Sequence, residues 1–299
     1  MLSIVVAGKG MQDQYEQGLL KTPALYVVAT PLGNLGDITL RALEVLRGVD
    51  AIACEDTRHT RHLLDHFGIR APAFALHEHN EAAAAQKLVA MLAAGKRLAL
   101  VSDAGTPCIS DPGARAVAAV RAAGYPVIPL PGANAAIAVL SAGGLADPQF
   151  LFVGFLPSKG TARRQQVEAL KSIAATLVFY EAPHRIVATV ADLAELLEPA
   201  RTLVIARELT KLFEQIAAMP LADAPAWLAA DPNRQRGEFV LLVSAPPAAD
   251  ELPAEVLRTL RLLLAELPLK QAVKLAAEIS GRPKNALYQQ ALAWKDQKL

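Results

Sequence analysis

Residues 24–37 read Ala24-Leu-Tyr-Val-Val-Ala-Thr-Pro-Leu-Gly-Asn-Leu-Gly-Asp37, an apolar run that passes at once into a loop with two glycines. A short apolar run followed by a turn and a helix-like pattern over Ile38–Leu46 is typical of a buried parallel strand. Glycine lets the backbone approach a ligand closely, and the next helix directs its positive end toward the loop. This stretch predicts an α/β domain with a ligand-binding loop. The alternative is a tight turn with Asp37 as helix N-cap.

The same alternation of short apolar runs and helix-like segments continues through the first half of the chain. Strands alternating with helices predict a mainly parallel sheet covered on both faces. Glycines and prolines cluster after the strands, where an open α/β sheet binds its ligand. The predicted strands are Ala24–Ala29, Ala51–Cys54, Leu98–Val101 and Pro126–Leu130, and the predicted helices are Ile38–Leu46, Thr57–His66, Glu81–Ala94, Gly113–Ala123 and Ala133–Ser141.

The second half alternates again after a predicted boundary at Gly143–Gln149. We therefore expect two α/β domains, residues 23–145 and 146–246, followed by a small helical module, residues 247–299. Residues 1–22 are expected to be a poorly ordered leader, with translation beginning as late as Met11. The predicted elements are strands Leu151–Phe155, Thr176–Tyr180, Thr202–Ala206, Phe213–Ala217 and Phe239–Val243, helices Ala162–Ser172, His184–Leu197 and Ala224–Ala229, and tail helices Glu251–Glu266, Leu269–Ile279 and Lys284–Trp294.

Composition limits the class of protein. The net charge of +1 argues against a surface coated in basic residues for sequence-blind nucleic-acid binding, although a local basic patch is still allowed. Two cysteines, Cys54 and Cys108, indicate no disulfide framework and fit a reducing compartment, so we expect a cytoplasmic protein. No stretch approaches 18 uninterrupted apolar residues, so no membrane span is expected.

Two polar clusters follow predicted strands. In Ser102–Gly113, two hydroxyl–acid pairs flank a Gly-Thr-Pro bend, and such a loop offers acceptors to a ribose or an amino group. We expect Asp103 to face the ligand and Asp111 to cap the helix that begins near Gly113. In Cys54–His62, acids, bases and hydroxyls are concentrated at a strand end, which favours a functional role over a capped surface helix.

The second half carries further candidate residues. Glu181 follows one strand, Arg207–Lys211 follows the next, and the basic segment Ser158–Arg164 suits phosphate contact as well as it suits a solvated helix start. Zinc-ligand patterns, the GxSxG nucleophile turn, GxGxxG and the P-loop pattern are absent from the sequence, so no metal is expected.

Together these blocks resemble the small-subunit ribosomal RNA methyltransferases of the tetrapyrrole-methylase-like superfamily. The match runs from about residue 24 to 245, and the tail is also similar; Cys108 stands where glycine is usual. It is carried by Leu25–Thr39, Cys54–Arg61, Ser102–Pro107, Ser110–Gly113, Phe179–Arg185, Arg207–Lys211 and Gly237–Val240.

This resemblance implies two α/β domains of the class III methyltransferase type with S-adenosylmethionine in the cleft between them, in a homodimer. It implies methyl transfer to the ribose 2′-hydroxyl of a cytidine in the decoding region of 16S rRNA, with neither DNA nor a membrane as partner. The expected cofactor-binding residues are Pro31, Gly33, Asn34, Asp103, Ala104, Gly105, Thr106, Ser110, Asp111, Ala133 and Tyr180.

A ribose hydroxyl is a poor nucleophile, so a proton acceptor is expected. Glu181 and Glu55 lie nearest the predicted cofactor loops, while Asp56, His184, Glu208 and Lys211 stay open as alternatives. Two other functions also stay open: a methyltransferase that acts on a tetrapyrrole carbon, and a ribosome-assembly factor without catalysis. The expected RNA-binding residues are Arg58, Arg61, Lys159, Arg163, Arg164, His184, Arg185, Lys211 and Lys284.

Overall fold

The computed structural model describes residues 23–247 and 252–296. It divides the chain into two compact units, Met1–Ala245 and Pro246–Leu299. The predicted leader at residues 1–22 and both ends of the predicted helical module lie outside the described residues. The first unit contains two five-stranded sheets, which agrees with the expectation of two α/β domains.

The first sheet is entirely parallel, with strand order β3-β2-β4-β1-β5. The predicted parallel sheet is therefore confirmed, and β3 is an addition that three residues were too few to reveal by periodicity. The strands are β1 Ala24–Val28, β2 Ala51–Cys54, β3 Ala73–Ala75, β4 Arg97–Val101 and β5 Val127–Leu130, and the helices are α1 Leu40–Gly48, α2 Thr57–His66, α3 Glu81–Ala93 and α4 Ala114–Ala122.

Hydrophobic cores cover both faces of this sheet. Tyr26 packs with Val45 and Ile52 on one face, while its neighbour Leu25 packs with Leu88 on the other. Successive side chains of a strand point to opposite faces, so a strand buried on both sides must be apolar at every position. This explains the uninterrupted apolar run of β1.

The first helix begins later than the sequence suggested. Residues Leu35–Asp37 form a 3₁₀ turn that the Asn34 side chain caps. Thr39 caps α1, since its hydroxyl accepts a hydrogen bond from the Ala42 amide at 3.0 Å. The predicted helix start at Ile38 and the alternative of Asp37 as N-cap are therefore wrong.

The cap of α4 is also different from the one expected. Glu81, buried at the start of α3, accepts hydrogen bonds on Oε1 from the amides of Gly113 and Arg115, at 3.0 and 2.9 Å. The prediction that Asp111 caps this helix is wrong, because a carboxylate distant in sequence takes that place. Asp111 is instead directed to the cleft described below.

The second sheet is mixed, with strand order β6-β7-β10-β8-β9 and only the β6–β7 pair parallel. The predicted strand Phe213–Ala217 begins instead at Gln215, because a turn in which the Glu214 amide donates to the Lys211 carbonyl precedes it. The strands are β6 Phe150–Phe155, β7 Thr176–Glu181, β8 Thr202–Arg207, β9 Gln215–Pro220 and β10 Phe239–Val243, and the helices are α5 Ala135–Ala142, α6 Gly160–Leu170, α7 Ile186–Leu196 and α8 Ala224–Ala229.

Helix α5 packs on the second sheet although it precedes the predicted domain boundary. Ala136 and Val139 are buried against Val204, Val240 and Leu242. Helix α5 therefore contributes to the core of the second sheet. This packing holds the loop after β5 close to both sheets.

The second unit contains α9 Ala254–Glu266, α10 Leu269–Ser280 and α11 Lys284–Asp296, close to the three predicted helices. Leu260, Val273 and Leu287 belong to its own small core. Gly281 ends α10 in the left-handed conformation, with φ of 66°. None of the helices in the described ranges is both long enough and apolar enough to span a bilayer.

Candidate active site

The loops after β1 and β4 are joined to each other at the carboxyl edge of the first sheet. Thr30 and Gly105 exchange two backbone hydrogen bonds of 2.9 Å. The buried hydroxyl of Thr30 also donates to the Ser102 carbonyl at 3.0 Å. Gly105 has φ of 82°, a conformation that favours glycine. These bonds fix the backbone of both predicted ligand loops.

The loops after β5 and β2 are attached to the same edge. The Thr106 hydroxyl donates to the Ala133 carbonyl at 2.9 Å. The Asp56 amide donates to Oδ1 of Asp103 at 3.2 Å. The carboxyl ends of four adjacent strands thus form one hydrogen-bonded rim, which is where parallel α/β sheets bind ligands.

Backbone strain is concentrated in two loops next to this rim. Among the described residues, the non-glycine residues with positive φ are Cys108 and Ser110 in one loop and Glu208 and Thr210 in the other. A left-handed residue costs about 1–2 kcal/mol, and such strain clusters at functional sites. Cys108, at φ of 70°, occupies a conformation that glycine adopts without this cost, which explains why glycine suits the position.

A cavity of about 410 Å³ opens between the two sheets. This size lies within the range of small-molecule sites. Tyr180 forms part of its wall, and its hydroxyl accepts a hydrogen bond from the Ala136 amide at 3.3 Å. The cavity is lined by Leu32, Asp103, Ala104, Gly105, Thr106, Ile109, Ser110, Asp111, Asn134, Ala135, Phe155, Tyr180, Glu181, Ala182, Pro183, Leu209, Glu238, Phe239 and Val240.

Three carboxyl groups influence one another beside the cavity. Burial raises the pKa of Asp111 to about 6, the charges of Glu55 and Asp103 add to the rise, and a contact from Ser102 opposes it. Burial also raises the pKa of Glu55, and the charge of Asp103 adds to that rise. Concentrated negative charge favours a cationic ligand at this end of the cavity.

Glu181 lines the cavity but its side chain is only 1% exposed. Its Oε1 accepts from the Ala182 amide at 2.8 Å and lies 3.1 Å from Nε of Arg185. Its Oε2 accepts from the Thr189 hydroxyl at 2.6 Å. Both carboxylate oxygens are therefore engaged in holding the turn that follows β7, and this arrangement favours a positioning role for Glu181.

The rim on the second domain is formed by the loop between β8 and β9. Lys211 Nζ pairs with Glu208 at 3.1 Å and with Glu238 at 2.9 Å. The aliphatic stem of Lys211 covers Gly33, so that a Cβ built on Gly33 would lie 2.3 Å from Cγ of Lys211. The two domains therefore touch beside the cavity, where a side chain at position 33 would displace the stem of Lys211.

The other predicted cofactor residues and Glu55 border the cavity without lining it. The Ala133 carbonyl anchors Thr106, Asn34 caps the 3₁₀ turn after β1, Gly33 lies under Lys211, and Pro31 is buried in the β1 loop. Glu55 follows β2 directly, and the charge of Asp103 influences its pKa. The loops predicted from the sequence thus border the cavity, while the folded chain selects which side chains of each loop reach it.

The predicted RNA-binding residues divide into exposed and engaged side chains. Arg58, Lys159, His184 and Lys284 are exposed, and Arg58 pairs with its neighbour Asp56. Arg61 lies 3.8 Å from Asp65, and Arg164 pairs with Asp192 and Glu195. Arg163 is buried against Asp192 at 2.6 Å, and Arg185 donates to the carbonyls of Leu156 and Pro157. The engaged arginines are better placed to hold helices and loops than to contact RNA.

Several cavity residues were missed by sequence reasoning. Phe155, Leu209 and Pro183 line the cavity, as does Glu238 at the start of β10. Glu238 and Pro183 lie within blocks that carried the resemblance, which was the available signal. Phe155 had no such signal, because an apolar residue in a predicted strand is expected to lie in the hydrophobic core.

A parallel α/β domain, a mixed α/β domain and a cavity between them are the features by which this fold is compared with known protein families. The family model described as Tetrapyrrole (Corrin/Porphyrin) Methylases matches residues 24–225. A second model, described as RsmI C-terminal HTH domain, matches residues 250–295. A solved structure shows the same fold. The uroporphyrin-III C-methyltransferase of Thermus thermophilus, complexed with S-adenyl homocysteine, superposes on this chain with a TM-score of 0.52 at 17% sequence identity. The match covers 74% of this chain and 97% of that chain.

Two curated relatives cover almost the whole chain. The ribosomal RNA small subunit methyltransferase I of Escherichia coli O157:H7 is 54% identical over 90% of this chain and 94% of its own. The protein of the same name from Pseudomonas aeruginosa is 52% identical over 90% of this chain and 96% of its own. The chain belongs to the ribosomal RNA small subunit methyltransferase I family.

Proposed function

We propose that this protein transfers a methyl group from S-adenosylmethionine to the ribose 2′-hydroxyl of a cytidine in the decoding region of 16S rRNA. The observation that carries this proposal is the identity of about half the residues to small-subunit rRNA methyltransferases over nine tenths of the chain. We further propose that it acts in the cytoplasm as a homodimer. DNA is excluded as substrate by the proposed chemistry, since it lacks the 2′-hydroxyl.

The cavity fits S-adenosylmethionine, the methyl donor. Its volume of about 410 Å³ suits a molecule of this size. Asp103 offers a carboxylate to a ligand that carries positive charge, and Leu32 and Phe155 offer apolar walls. Bound there, the cofactor supplies a methyl group on a positively charged sulfur that is already reactive toward nucleophiles.

The residues of this chain then have two tasks, alignment and proton removal. The hydrogen-bonded rim around Thr30 and Gly105 holds the backbone of the site rigid, and alignment of the reacting atoms supplies a large part of the acceleration. The ribose hydroxyl must lose its proton as its oxygen attacks the methyl carbon. A carboxylate at the cavity wall would accept that proton.

We propose Asp111 as this proton acceptor, in preference to the predicted Glu181 and Glu55. Asp111 lines the cavity and is not used as a helix cap, whereas both oxygens of Glu181 accept hydrogen bonds from its own domain. Glu55 is near enough to feel the charge of Asp103 but does not line the cavity. Asp103 and Glu238 also line the cavity, but Asp103 accepts from the Asp56 amide and Glu238 pairs with Lys211. These engagements support the choice of Asp111.

One experiment tests the proposed function as a whole. The protein is incubated with labelled S-adenosylmethionine and 30S subunits from cells that lack this modification, and the labelled nucleotide is then mapped. Label on a ribose 2′-oxygen of a decoding-region cytidine supports the proposal. Label on a base, label on an added tetrapyrrole, or binding to the subunit without any turnover would each contradict it.

The cofactor assignment predicts the effect of replacing Asp103. Asp103→Ala removes a carboxylate that faces the cavity and also accepts from the Asp56 amide. We expect S-adenosylmethionine to bind more weakly by about 1–3 kcal/mol, because a charged hydrogen-bonding partner is lost. Calorimetric titration measures this, with exposed Glu78→Ala as control. An unchanged dissociation constant in folded Asp103→Ala would remove this residue from the site.

The helical module predicts a second, separable effect. We propose that this module, with Lys284 at the start of α11, contacts rRNA phosphates. Deleting residues 248–299 should spare cofactor binding, weaken affinity for 30S subunits and flatten its salt dependence, because each lost phosphate contact removes about one unit from the slope. The measurement is affinity for 30S subunits at several salt concentrations. Full affinity with the same slope would show that the module serves another purpose.

A further inference from the structure

The loop at residues 208–214, between β8 and β9, is held unusually firmly for a surface loop. The Lys211 amide donates to the Glu208 carbonyl and the Glu214 amide to the Lys211 carbonyl, at 3.0 and 3.1 Å. The Thr210 amide donates to the Glu214 carboxylate, and Lys211 Nζ pairs with Glu208. Glu208 and Thr210 both adopt positive φ. The loop is therefore fixed in a strained conformation by its own hydrogen bonds.

This rigid loop presents large apolar side chains to solvent. Leu212 is 89% exposed and Phe213 is 67% exposed. Ile216, the second residue of β9, is also exposed. A loop that folds for stability alone would turn such side chains inward, because burying a phenylalanine stabilises by about 1.5–3 kcal/mol. Their exposure on a rigid support indicates a surface that contacts something.

The loop also borders the cavity. Leu209 lines the cavity, and the stem of Lys211 rests on Gly33 of the other domain. A nucleotide whose ribose enters the cavity must leave its stack, and its own base or a neighbouring base is then left without stacking partners. Aromatic side chains replace such lost stacking in RNA-binding proteins.

We propose that Phe213 is a stacking platform for a nucleobase of the RNA substrate beside the cavity. The inference rests on the proposed rRNA substrate and adds a specific contact to it. The position of the loop beside the cavity favours the substrate over a second copy of this chain as the partner, because Leu209 of the same loop lines the cavity; a contact between copies is an outcome that the test detects. Glu208 and Glu214 are engaged by Lys211 and by the Thr210 amide, so the exposed Phe213 ring is the contact group that the loop offers.

The test compares four side chains at position 213 in the full-length protein. Phe213→Ala and Phe213→Leu should each raise the dissociation constant for undermodified 30S subunits by about 5- to 150-fold, and Phe213→Trp should restore wild-type affinity or exceed it. Cofactor affinity and thermal unfolding should stay unchanged in all of them. Phe150→Ala serves as the matched control, since Phe150 is a 52% exposed aromatic on edge strand β6.

The outcomes separate stacking from other roles. Equal affinity in wild type and Phe213→Ala overturns the proposal, and so does full affinity in Phe213→Leu, since leucine keeps apolar contact without a ring face. A change of sedimentation coefficient in Phe213→Ala would assign the loop to a contact between copies and would also overturn it. If the wild type itself transfers no methyl group to 30S subunits, the proposed function fails instead, independently of position 213.

Discussion

Asp111→Asn is expected to lower the single-turnover rate of methyl transfer by about 10²–10⁴-fold while cofactor binding stays nearly intact. Asparagine has almost the same shape but cannot accept the proton that leaves the ribose hydroxyl. In the proposed mechanism, the Asp111 carboxylate would accept the proton that the ribose hydroxyl loses when its oxygen receives the methyl group. Rapid-quench kinetics with saturating cofactor measures this step directly.

The pH dependence of the methyl-transfer rate provides a second test of the role of Asp111. Burial and the charges of Glu55 and Asp103 raise the pKa of Asp111 to about 6. A proton acceptor works only when ionised, so the wild-type rate should rise with pH through about 6 and then level off. Asp111→Asn should lack this rise. A variant that kept the same profile, or lost only cofactor affinity, would contradict the role of Asp111 as proton acceptor.

The Asp111→Asn substitution should raise the free energy of unfolding at high pH although it lowers activity. The folded protein holds the proton of Asp111 to a higher pH than the unfolded chain, so this group's contribution to stability falls between its ordinary pKa of 3.8 and about 6. Above that range the buried charge is unfavourable. Asp111→Asn should therefore be more stable than wild type at pH 8, by about 1–2 kcal/mol after allowance for solvent screening. Urea unfolding at pH 8 and pH 5 checks the sign.

Glu181→Ala is expected to lower the free energy of unfolding by about 3–5 kcal/mol, because it breaks a buried ion pair on one side only. The guanidinium of Arg185 loses its carboxylate, and the Thr189 hydroxyl and Ala182 amide lose their acceptor. Urea denaturation followed by circular dichroism measures the change.

Glu195→Ala is the matched control for this prediction. Glu195 also pairs with an arginine, at 2.6 Å, but it is exposed, and exposed pairs contribute about 0–1 kcal/mol. A loss below 1 kcal/mol in Glu181→Ala would show that Glu181 does not anchor the turn after β7. Glu181→Gln with normal stability but a 10²-fold slower methyl transfer would instead return Glu181 to the role of proton acceptor.

The fold class followed from the sequence because its signals are local. The apolar runs of β1, β2 and β4 and the glycine-rich loops after them are properties of a few consecutive residues, and they indicated a parallel sheet with ligand loops at its carboxyl edge. The three tail helices were found in the same way. Strand β3 was not predicted, because three residues are too few to show a hydrophobic period.

The roles of individual acids did not follow from the sequence, because each depends on a partner distant in the chain. A hydroxyl–acid pair before a helix predicts an N-cap, yet Glu81 from α3 caps α4, and Asp111 is thereby directed to the cavity. Glu181 beside a cofactor loop predicts a reactive carboxylate, yet Thr189 and Arg185 engage it.

What the sequence determined by itself was the fold class, most of the strands and helices, the loops that border the cavity and the family to which the chain belongs. What only the tertiary structure decided was which side chains those loops turn into the cavity, and how Lys211 meets Gly33 beside it. The physical reason is that hydrophobic periodicity and turn chemistry act between near neighbours in sequence. Burial, ion pairing and hydrogen bonding instead depend on distances that exist only after the two sheets have packed together.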